Sequence, residues 1–123
     1  MRGLEGVRYR DQAAGVERVE GEAAVAFAGE VDRLYVDAPP RLVVRDGVRA
    51  LLVESDGFPD VVVWNPGAET ARQLDDMEDD AYRRLVCVEA AAAARPVTVG
   101  PGERWTGTQR IGVGSDEEGE RLA

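Results

Sequence analysis

Short apolar runs, broken at close intervals by turn residues, are the feature that most constrains how this chain can fold. About eight segments of strand length are rich in valine, leucine and aromatic residues, and Gly, Pro and Asp clusters separate them. Many short strands with frequent turn signals, and no long helical period between them, are typical of an antiparallel sandwich or barrel. The sequence therefore predicts an all-β fold.

The clearest local signal is a hairpin around Asp46-Gly47. Arg41–Arg45 and Val48–Glu54 are apolar runs on either side of this dipeptide, which is a common two-residue hairpin turn. The pattern predicts two antiparallel neighbours in one sheet.

A second signal is the continuous apolar run Leu85–Val88, which ends on Glu89. A run this short and apolar predicts a strand buried on both faces. At a core boundary, desolvation favours the neutral form of a carboxyl group and makes it useful as a general base. The alternative is that Glu89 is a solvated strand end or pairs with an arginine.

Length and charge set broad limits on partners. The chain has 123 residues, enough for one domain with a real core, and a formal net charge of −9. This charge argues against a general electrostatic grip on nucleic acid, and it gives no support for binding to an anionic membrane. All the basic residues are arginine, which suits bidentate recognition of carboxylate or phosphate, so a small anionic substrate held by a few arginines stays open.

The chain contains no histidine and one cysteine, Cys87. It cannot build a Cys/His zinc site or a Ser-His-Asp triad by itself. The thiol lies in an apolar run and is predicted to be a small buried hydrophobe. A single cysteine suggests a reducing compartment, and no apolar stretch reaches the ~18 residues of a membrane span. We predict a cytoplasmic protein, with residues 114–123 as a disordered acidic tail.

Five motifs occur in a fixed order along the chain. They are Gly3–Asp11, Phe27–Tyr35, Pro59–Pro66, Asp79–Glu89 and the turn Pro101-Gly102-Glu103. In this order and spacing, the chain resembles the C-terminal portion of the aldose 1-epimerase superfamily, in the glucose-6-phosphate 1-epimerase (hexose-6-phosphate mutarotase) branch. The resemblance covers most of the chain, so residues 1–113 are predicted to be the C-terminal part of a mutarotase-like sandwich.

The resemblance implies an antiparallel β-sandwich of the galactose-mutarotase type, truncated here. It implies interconversion of the α and β anomers of a hexose or hexose phosphate, with no metal or organic cofactor. Glu89 falls on the family's catalytic glutamate, the base that takes the proton of the C1 hydroxyl. Asp32 falls on an aspartate that holds sugar hydroxyls, as a carboxylate accepting from hydroxyl groups would.

Trp64 and Asn65 are further candidates to line the sugar pocket. The alternatives are core packing for Trp64 and a turn role before Pro66 for Asn65. Arg33 is open to a structural role, paired with Glu30 or another acid.

The family's catalytic histidine, which protonates the ring oxygen, and its phosphate-holding arginines fall before the segment that matches Gly3. Ring opening needs an acid as well as a base. The isolated chain is therefore predicted to have little or no activity. The alternative is a non-catalytic carbohydrate-binding module or a structural remnant of the fold. A truncated sandwich also leaves strand edges unpaired, which predicts self-association; no nucleic-acid or membrane partner is expected.

Overall fold

Eight antiparallel strands dominate residues 1–122, the part of the chain that the computed structural model describes. The strands are β1 (Arg8–Asp11), β2 (Val16–Val19), β3 (Val31–Tyr35), β4 (Arg41–Arg45), β5 (Arg49–Asp56), β6 (Asp60–Asn65), β7 (Cys87–Ala91) and β8 (Thr108–Ser115). Two short helices, α1 (Gly67–Ala71) and α2 (Asp116–Leu122), and a 3-10 turn (Ala81–Arg83) complete the regular structure.

The strands form two sheets that enclose one core. The five-stranded sheet has the order β2-β1-β3-β6-β7, and the three-stranded sheet has the order β4-β5-β8. Every strand pair is antiparallel. Both sheets contribute to the core, which includes Tyr35, Val61 and Val63 from the first and Leu42 and Val53 from the second. The predicted all-β antiparallel sandwich is confirmed.

The predicted hairpin is present as β4 and β5. Arg45 lies opposite Ala50, and the Asp46 carboxylate accepts hydrogen bonds from the backbone N–H groups of Val48 (2.9 Å) and Arg49 (2.7 Å). Gly47 has φ +88°, a conformation that favours glycine. The backbone hydrogen bonds from Arg49 and Val48 hold the pKa of the Asp46 carboxyl low, at about 2.

The apolar run at residues 85–88 differs from its prediction as a strand buried on both faces. The strand begins only at Cys87, and Cys87 and Val88 are half-buried while Glu89 is exposed. β7 is an edge strand of the five-stranded sheet. Leu85 lies before the strand, and its carbonyl accepts a 2.7 Å hydrogen bond from the Asn65 side chain.

The acidic C-terminal segment also differs from the expected disordered tail. Gly114 and Ser115 complete β8, and residues 116–122 form α2; Ala123 lies outside the described residues. Two contacts order this segment. Asp116 forms an ion pair with Arg45 (2.5 Å), and the Glu118 carboxylate accepts from the Ser115 backbone N–H (2.7 Å). Gly119 packs on the three-stranded sheet, where a Cβ would collide with Ala50.

Within residues 1–122, no helix has the length and apolar character that a membrane crossing requires.

Candidate functional site

Three of the four candidate residues lie on one face of the five-stranded sheet. Asp32 on β3 lies directly opposite Trp64 on β6, and Trp64 lies opposite Cys87 on β7. Directly opposite residues of an antiparallel pair point to the same side, as do residues two apart on one strand. Glu89, two residues after Cys87, therefore shares this side with Asp32 and Trp64.

We call this surface the site face. It is defined by alternate residues of the three strands, namely Asp32, Leu34, Val62, Trp64, Cys87 and Glu89. Glu89 lies opposite Val62 and diagonal to Trp64, about 7–8 Å away between Cα atoms on a regular sheet. The sheet thus places a carboxylate on each side of one tryptophan.

The Glu89 side chain is exposed on the edge strand. The core-boundary desolvation expected from the sequence is therefore absent. Among the residues that the structure describes, Glu89 forms no ion pair, which also removes the alternative of an arginine partner. Its carboxylate is open to a ligand hydroxyl.

Asp32 is half-buried, and Gln12, the residue after β1, holds it in place. The Gln12 side-chain amide donates a 2.9 Å hydrogen bond to Asp32 Oδ1, and the Gln12 backbone N–H donates to the Asp32 carbonyl at 2.8 Å. Oδ2 has no hydrogen-bond partner within residues 1–122. The arrangement fixes the carboxylate and leaves one oxygen free to accept from a sugar hydroxyl.

Trp64 is half-buried in the middle strand of the site face. It is not part of the inter-sheet core, because the residues of β6 that enter that core are Val61 and Val63, on the other side of the strand. The alternative role of Trp64, packing in the core, is therefore not what the structure shows. Its ring offers an apolar surface beside two acids.

Cys87 also lies on the site face. Burial raises the pKa of its thiol, and the charge of the neighbouring Glu89 carboxylate raises it further. A thiol with a raised pKa is a poor nucleophile at neutral pH. Its prediction as an unreactive apolar side chain agrees with this environment.

Asn65 is the candidate that the structure does not bring together with the others. It follows Trp64 on the same strand and so points to the opposite side, where it is 2% exposed. Its amide donates to the carbonyls of Tyr82 (2.8 Å) and Leu85 (2.7 Å), and its Oδ1 accepts from the Gly67 N–H (2.9 Å). All of its polar atoms are engaged, and they fix the turn that leads into β7. Asn65 therefore positions the strand that carries Glu89.

Arg33 is structural, as its alternative predicted, but its partner is Glu20 and not Glu30. Its guanidinium lies 2.8 Å from the Glu20 carboxylate, which also accepts a 2.7 Å hydrogen bond from the Tyr35 hydroxyl. The same guanidinium lies over the Tyr9 ring, 4.7 Å from its centre. Burial raises the pKa of the Tyr35 phenol well above its usual range. This network lies on the core side of the sheet, opposite the site face.

Sequence patterns did not identify Asp60, a fully buried carboxylate at the start of β6. It accepts hydrogen bonds from the backbone N–H groups of Ala93 (2.9 Å), Ala94 (2.8 Å) and Asp37 (3.3 Å). These bonds hold the loop after β7 against the end of the site face. The one available signal was an aspartate leading directly into a run of three valines.

No described group of three or more Asp, Glu or Cys side chains is arranged to hold a metal ion. The groups on the site face that could contact a ligand are the Asp32 and Glu89 carboxylates and the Trp64 indole ring.

Comparison with known families and proteins gives one consistent result. The family model described as aldose 1-epimerase matches residues 2–112. A protein of Cenchrus ciliaris named "Putative glucose-6-phosphate 1-epimerase" is 38% identical over 110 residues, which are 87% of this chain and 33% of that protein. A protein of the same name from Escherichia coli is 34% identical over 80 residues, 63% of this chain and 27% of its own length.

A solved structure has a similar fold. The crystal structure of a "putative mutarotase (YeaD)" from Salmonella typhimurium superimposes with a TM-score of 0.61 at 31% identity, over 66% of this chain and 28% of that one. The chain thus spans about a third of the length of the relatives that it matches.

Proposed function

Because the chain belongs to the aldose 1-epimerase family, we propose that its site face binds a hexose 6-phosphate and supplies the base for interconversion of the α and β anomers. The observation that carries this proposal is the shared face of Asp32, Trp64 and Glu89. The relatives that it matches carry the name of a glucose-6-phosphate 1-epimerase.

Glu89 takes the proton of the C1 hydroxyl. An exposed carboxylate on the edge strand can approach a hydroxyl group within hydrogen-bond distance, which general base catalysis requires. Loss of that proton pushes electron density from O1 to C1, and the bond between C1 and the ring oxygen breaks to give the open-chain aldehyde. Closure on the other face of the aldehyde gives the second anomer.

Asp32 anchors the sugar. Its Oδ2 accepts from ring hydroxyls while Gln12 holds Oδ1, so that the carboxylate keeps one orientation as the ring opens. Trp64, directly opposite Asp32, provides the apolar surface against which one side of the pyranose ring packs.

The reaction also needs an acid that protonates the ring oxygen as it leaves. The sequence contains no histidine. The titratable side chains of the site face are two carboxylates and a thiol with a raised pKa. We propose that the 123-residue chain alone binds the sugar phosphate but accelerates its anomerisation little, because one half of the acid–base pair is missing.

Calorimetric titration with glucose 6-phosphate tests this function directly. Glu89→Gln and Asp32→Asn should each weaken binding about tenfold or more, since each replaces a charged hydrogen-bond acceptor with a neutral amide. Glu5→Gln makes the same chemical change at an exposed position away from the site face and should leave the affinity unchanged. Equal affinity in all four proteins would refute the proposal.

The anomerisation rate, followed by NMR exchange, separates catalysis from binding. We expect the chain to stay near the uncatalysed rate. A clear acceleration that Glu89→Gln abolishes would confirm the base and disprove the inactivity of the chain. Sugar binding that Glu89→Gln leaves intact would favour a non-catalytic carbohydrate-binding module.

A further inference from the structure

Strand β8 leaves one long edge of the three-stranded sheet open. It is eight residues long, and within residues 1–122 it pairs with β5 alone. The open edge of a sheet presents a row of unpaired backbone N–H and C=O groups, which can pair with another chain. Charged residues and proline usually protect such an edge, but β8 contains one charged residue, two glycines and no proline. β8 is therefore a surface that can accept a further strand.

The edges formed by β2, β4 and β7 are better protected. The Arg2 backbone N–H donates a 2.8 Å hydrogen bond to the Val43 carbonyl, so the start of the chain covers part of β4. The Gln109 side chain donates a 3.0 Å hydrogen bond to the Val88 carbonyl of β7. Two of the four residues of β2 are charged. Strand addition is therefore expected at β8 before the other edges.

The side of β8 that continues the core surface is apolar and exposed. Ile111 lies directly opposite Val53, a residue of the inter-sheet core, and Val113 lies opposite Leu51. Opposite residues point to the same side, so Ile111 and Val113 extend the inner surface of the three-stranded sheet. Their side chains are nevertheless 62% and 72% exposed. Aliphatic side chains beside an open edge favour a partner that adds a strand and covers them.

On the outer side of the same sheet, a row of alternating charge ends at Arg110. Arg41 of β4 lies opposite Glu54 of β5 and pairs with it at 2.9 Å, and Glu54 lies opposite Arg110 of β8. Arg110 takes part in no ion pair within residues 1–122. On an added strand, the next position of this row therefore suits an acidic group, because directly opposite residues of neighbouring strands interact.

Two copies of β8 can pair with each other about a two-fold axis. In an antiparallel pairing with Gly112 opposite Gly112 of the second copy, Ile111 lies opposite Val113 of that copy on the inner side. The symmetry repeats the contact, so four aliphatic side chains pack together and lose their exposure.

The same register places Arg110 opposite Gly114 of the second copy, on the outer side. Glu118 covers that glycine, since its Oε2 lies 3.0 Å from the position that a Cβ on Gly114 would take. The Ser115 backbone N–H holds this carboxylate with a 2.7 Å hydrogen bond. A second copy therefore already carries an acid where the charge row needs one, and the symmetry provides two such contacts in one dimer.

We propose that two copies of this chain form a dimer through β8 in this register, which joins their three-stranded sheets into one six-stranded sheet. The dimer covers Ile111 and Val113, gives partners to the open backbone groups of β8 and pairs Arg110 of each copy with Glu118 of the other. It does not depend on the proposed sugar site, which lies on the five-stranded sheet.

Analytical ultracentrifugation of the 123-residue chain over a range of concentrations tests this dimer. The wild type should change from monomer to dimer as its concentration rises. Val113→Asp should weaken the dimer about tenfold or more, because it puts a charge into the apolar contact. The matched control is Val19→Asp, which changes a 58% exposed valine on the edge strand β2 and should leave the dimer unchanged.

Two results of this experiment would overturn the proposal. A wild-type chain that stays monomeric at every concentration would assign the β8 edge to a different polypeptide. Equal weakening by Val113→Asp and Val19→Asp would show that association does not use β8 in particular.

Charge reversal tests the register and leaves the apolar contact intact. Arg110→Glu alone and Glu118→Arg alone each place like charges in both symmetry-related contacts, so each should reduce self-association. An equimolar mixture of the two variants should form a heterodimer, because positions 110 and 118 then carry opposite charges in both contacts. Sedimentation of the mixture and of each variant alone measures this. A mixture that associates no better than the separate variants would overturn the proposed pairing.

Discussion

The two faces of the five-stranded sheet are built from alternate residues of the same strands, yet charged side chains are paired on one face and unpaired, within residues 1–122, on the other. On the core side, Arg33, Glu20 and Tyr35 satisfy one another in a buried network. On the site face, Asp32 keeps one carboxylate oxygen without a hydrogen-bond partner in residues 1–122, and the exposed Glu89 forms no ion pair in that range. Because side chains alternate between the two sides of a strand, the residues that stabilise the sheet and the residues proposed to bind a ligand occupy alternate positions of the same strands. Substitutions on the core side should change the fold, and substitutions on the site face should change binding.

The largest effect on stability is expected from Glu20→Gln. It leaves the Arg33 guanidinium, whose side chain is 23% exposed, without its anionic partner. Loss of one partner of a buried pair should lower the free energy of unfolding by about 3 kcal/mol, measured by urea denaturation. Glu17→Gln, at a side chain that is 78% exposed, is the control and should change it by less than about 0.5 kcal/mol. Similar effects of the two substitutions would show that the buried Arg33–Glu20 pair contributes no more to stability than the exposed Arg10–Glu17 pair.

Asp60→Asn should have the next largest effect. The amide keeps the shape but loses the charge, and its NH₂ group would face the backbone donors of Ala93 and Ala94. We expect a loss of about 2 kcal/mol in the free energy of unfolding. Hydrogen exchange at these two amides should also accelerate more than at Val63, in the same strand as Asp60. Unchanged exchange at positions 93 and 94 would show that Asp60 does not hold the loop.

Tyr35→Phe should cost about 1 kcal/mol at neutral pH, because the hydroxyl donates to Glu20. It should also change the alkaline limb of stability. In the folded state, the pKa of the Tyr35 phenol lies above its ordinary value of 10.0. The contribution of the protonated phenol to stability is therefore complete below pH 10 and is lost as the pH rises above 10. In that range the wild-type free energy of unfolding should fall by at most about 1.4 kcal/mol per pH unit from this group.

The alkaline decrease should be smaller in Tyr35→Phe. Tyr82→Phe, at a partly exposed side chain, is the control and should keep the wild-type slope. Denaturation series between pH 8 and pH 11 measure both, and parallel curves for the wild type and Tyr35→Phe would contradict the role of the buried phenol.

The smallest effect on stability is expected on the site face. Glu89→Gln and Asp32→Asn should each change the free energy of unfolding by less than about 0.5 kcal/mol, because neither carboxylate forms an ion pair in the described chain. The same variants should lose affinity for glucose 6-phosphate. A large loss of stability in either would show that the site face is structural.

The sequence could predict much of the fold, and particular residues show why the rest was missed. The β4–β5 hairpin followed from its turn dipeptide and flanking apolar runs, both of which are local. Strand β2 has no clear sequence signal, because Val16–Val19 is short and half charged. It pairs with β1 across a turn in which the Asp11 side chain accepts from the Ala14 N–H at 2.9 Å. Residues 96–99 have strand propensity but lie outside any strand, since propensity does not supply a neighbouring strand.

The candidate site shows the same limit. Adjacent residues of a strand point to opposite sides, so Trp64 and Asn65 could not both face one pocket, and this signal was available from the sequence. The pairing of Arg33 with Glu20 and the loop held by Asp60 depend on contacts between distant segments. No local pattern contains them.

Fluorescence of the two tryptophans tests the central claim, that the site face binds the sugar phosphate, most directly. Trp105→Phe leaves Trp64 on the site face as the only indole, and Trp64→Phe leaves only Trp105, which packs against Phe58 at a ring distance of 5.1 Å. Titration with glucose 6-phosphate should produce a saturable change in the Trp64-only protein and none in the Trp105-only protein. A response confined to Trp105, or no response from Trp64, would contradict the claim.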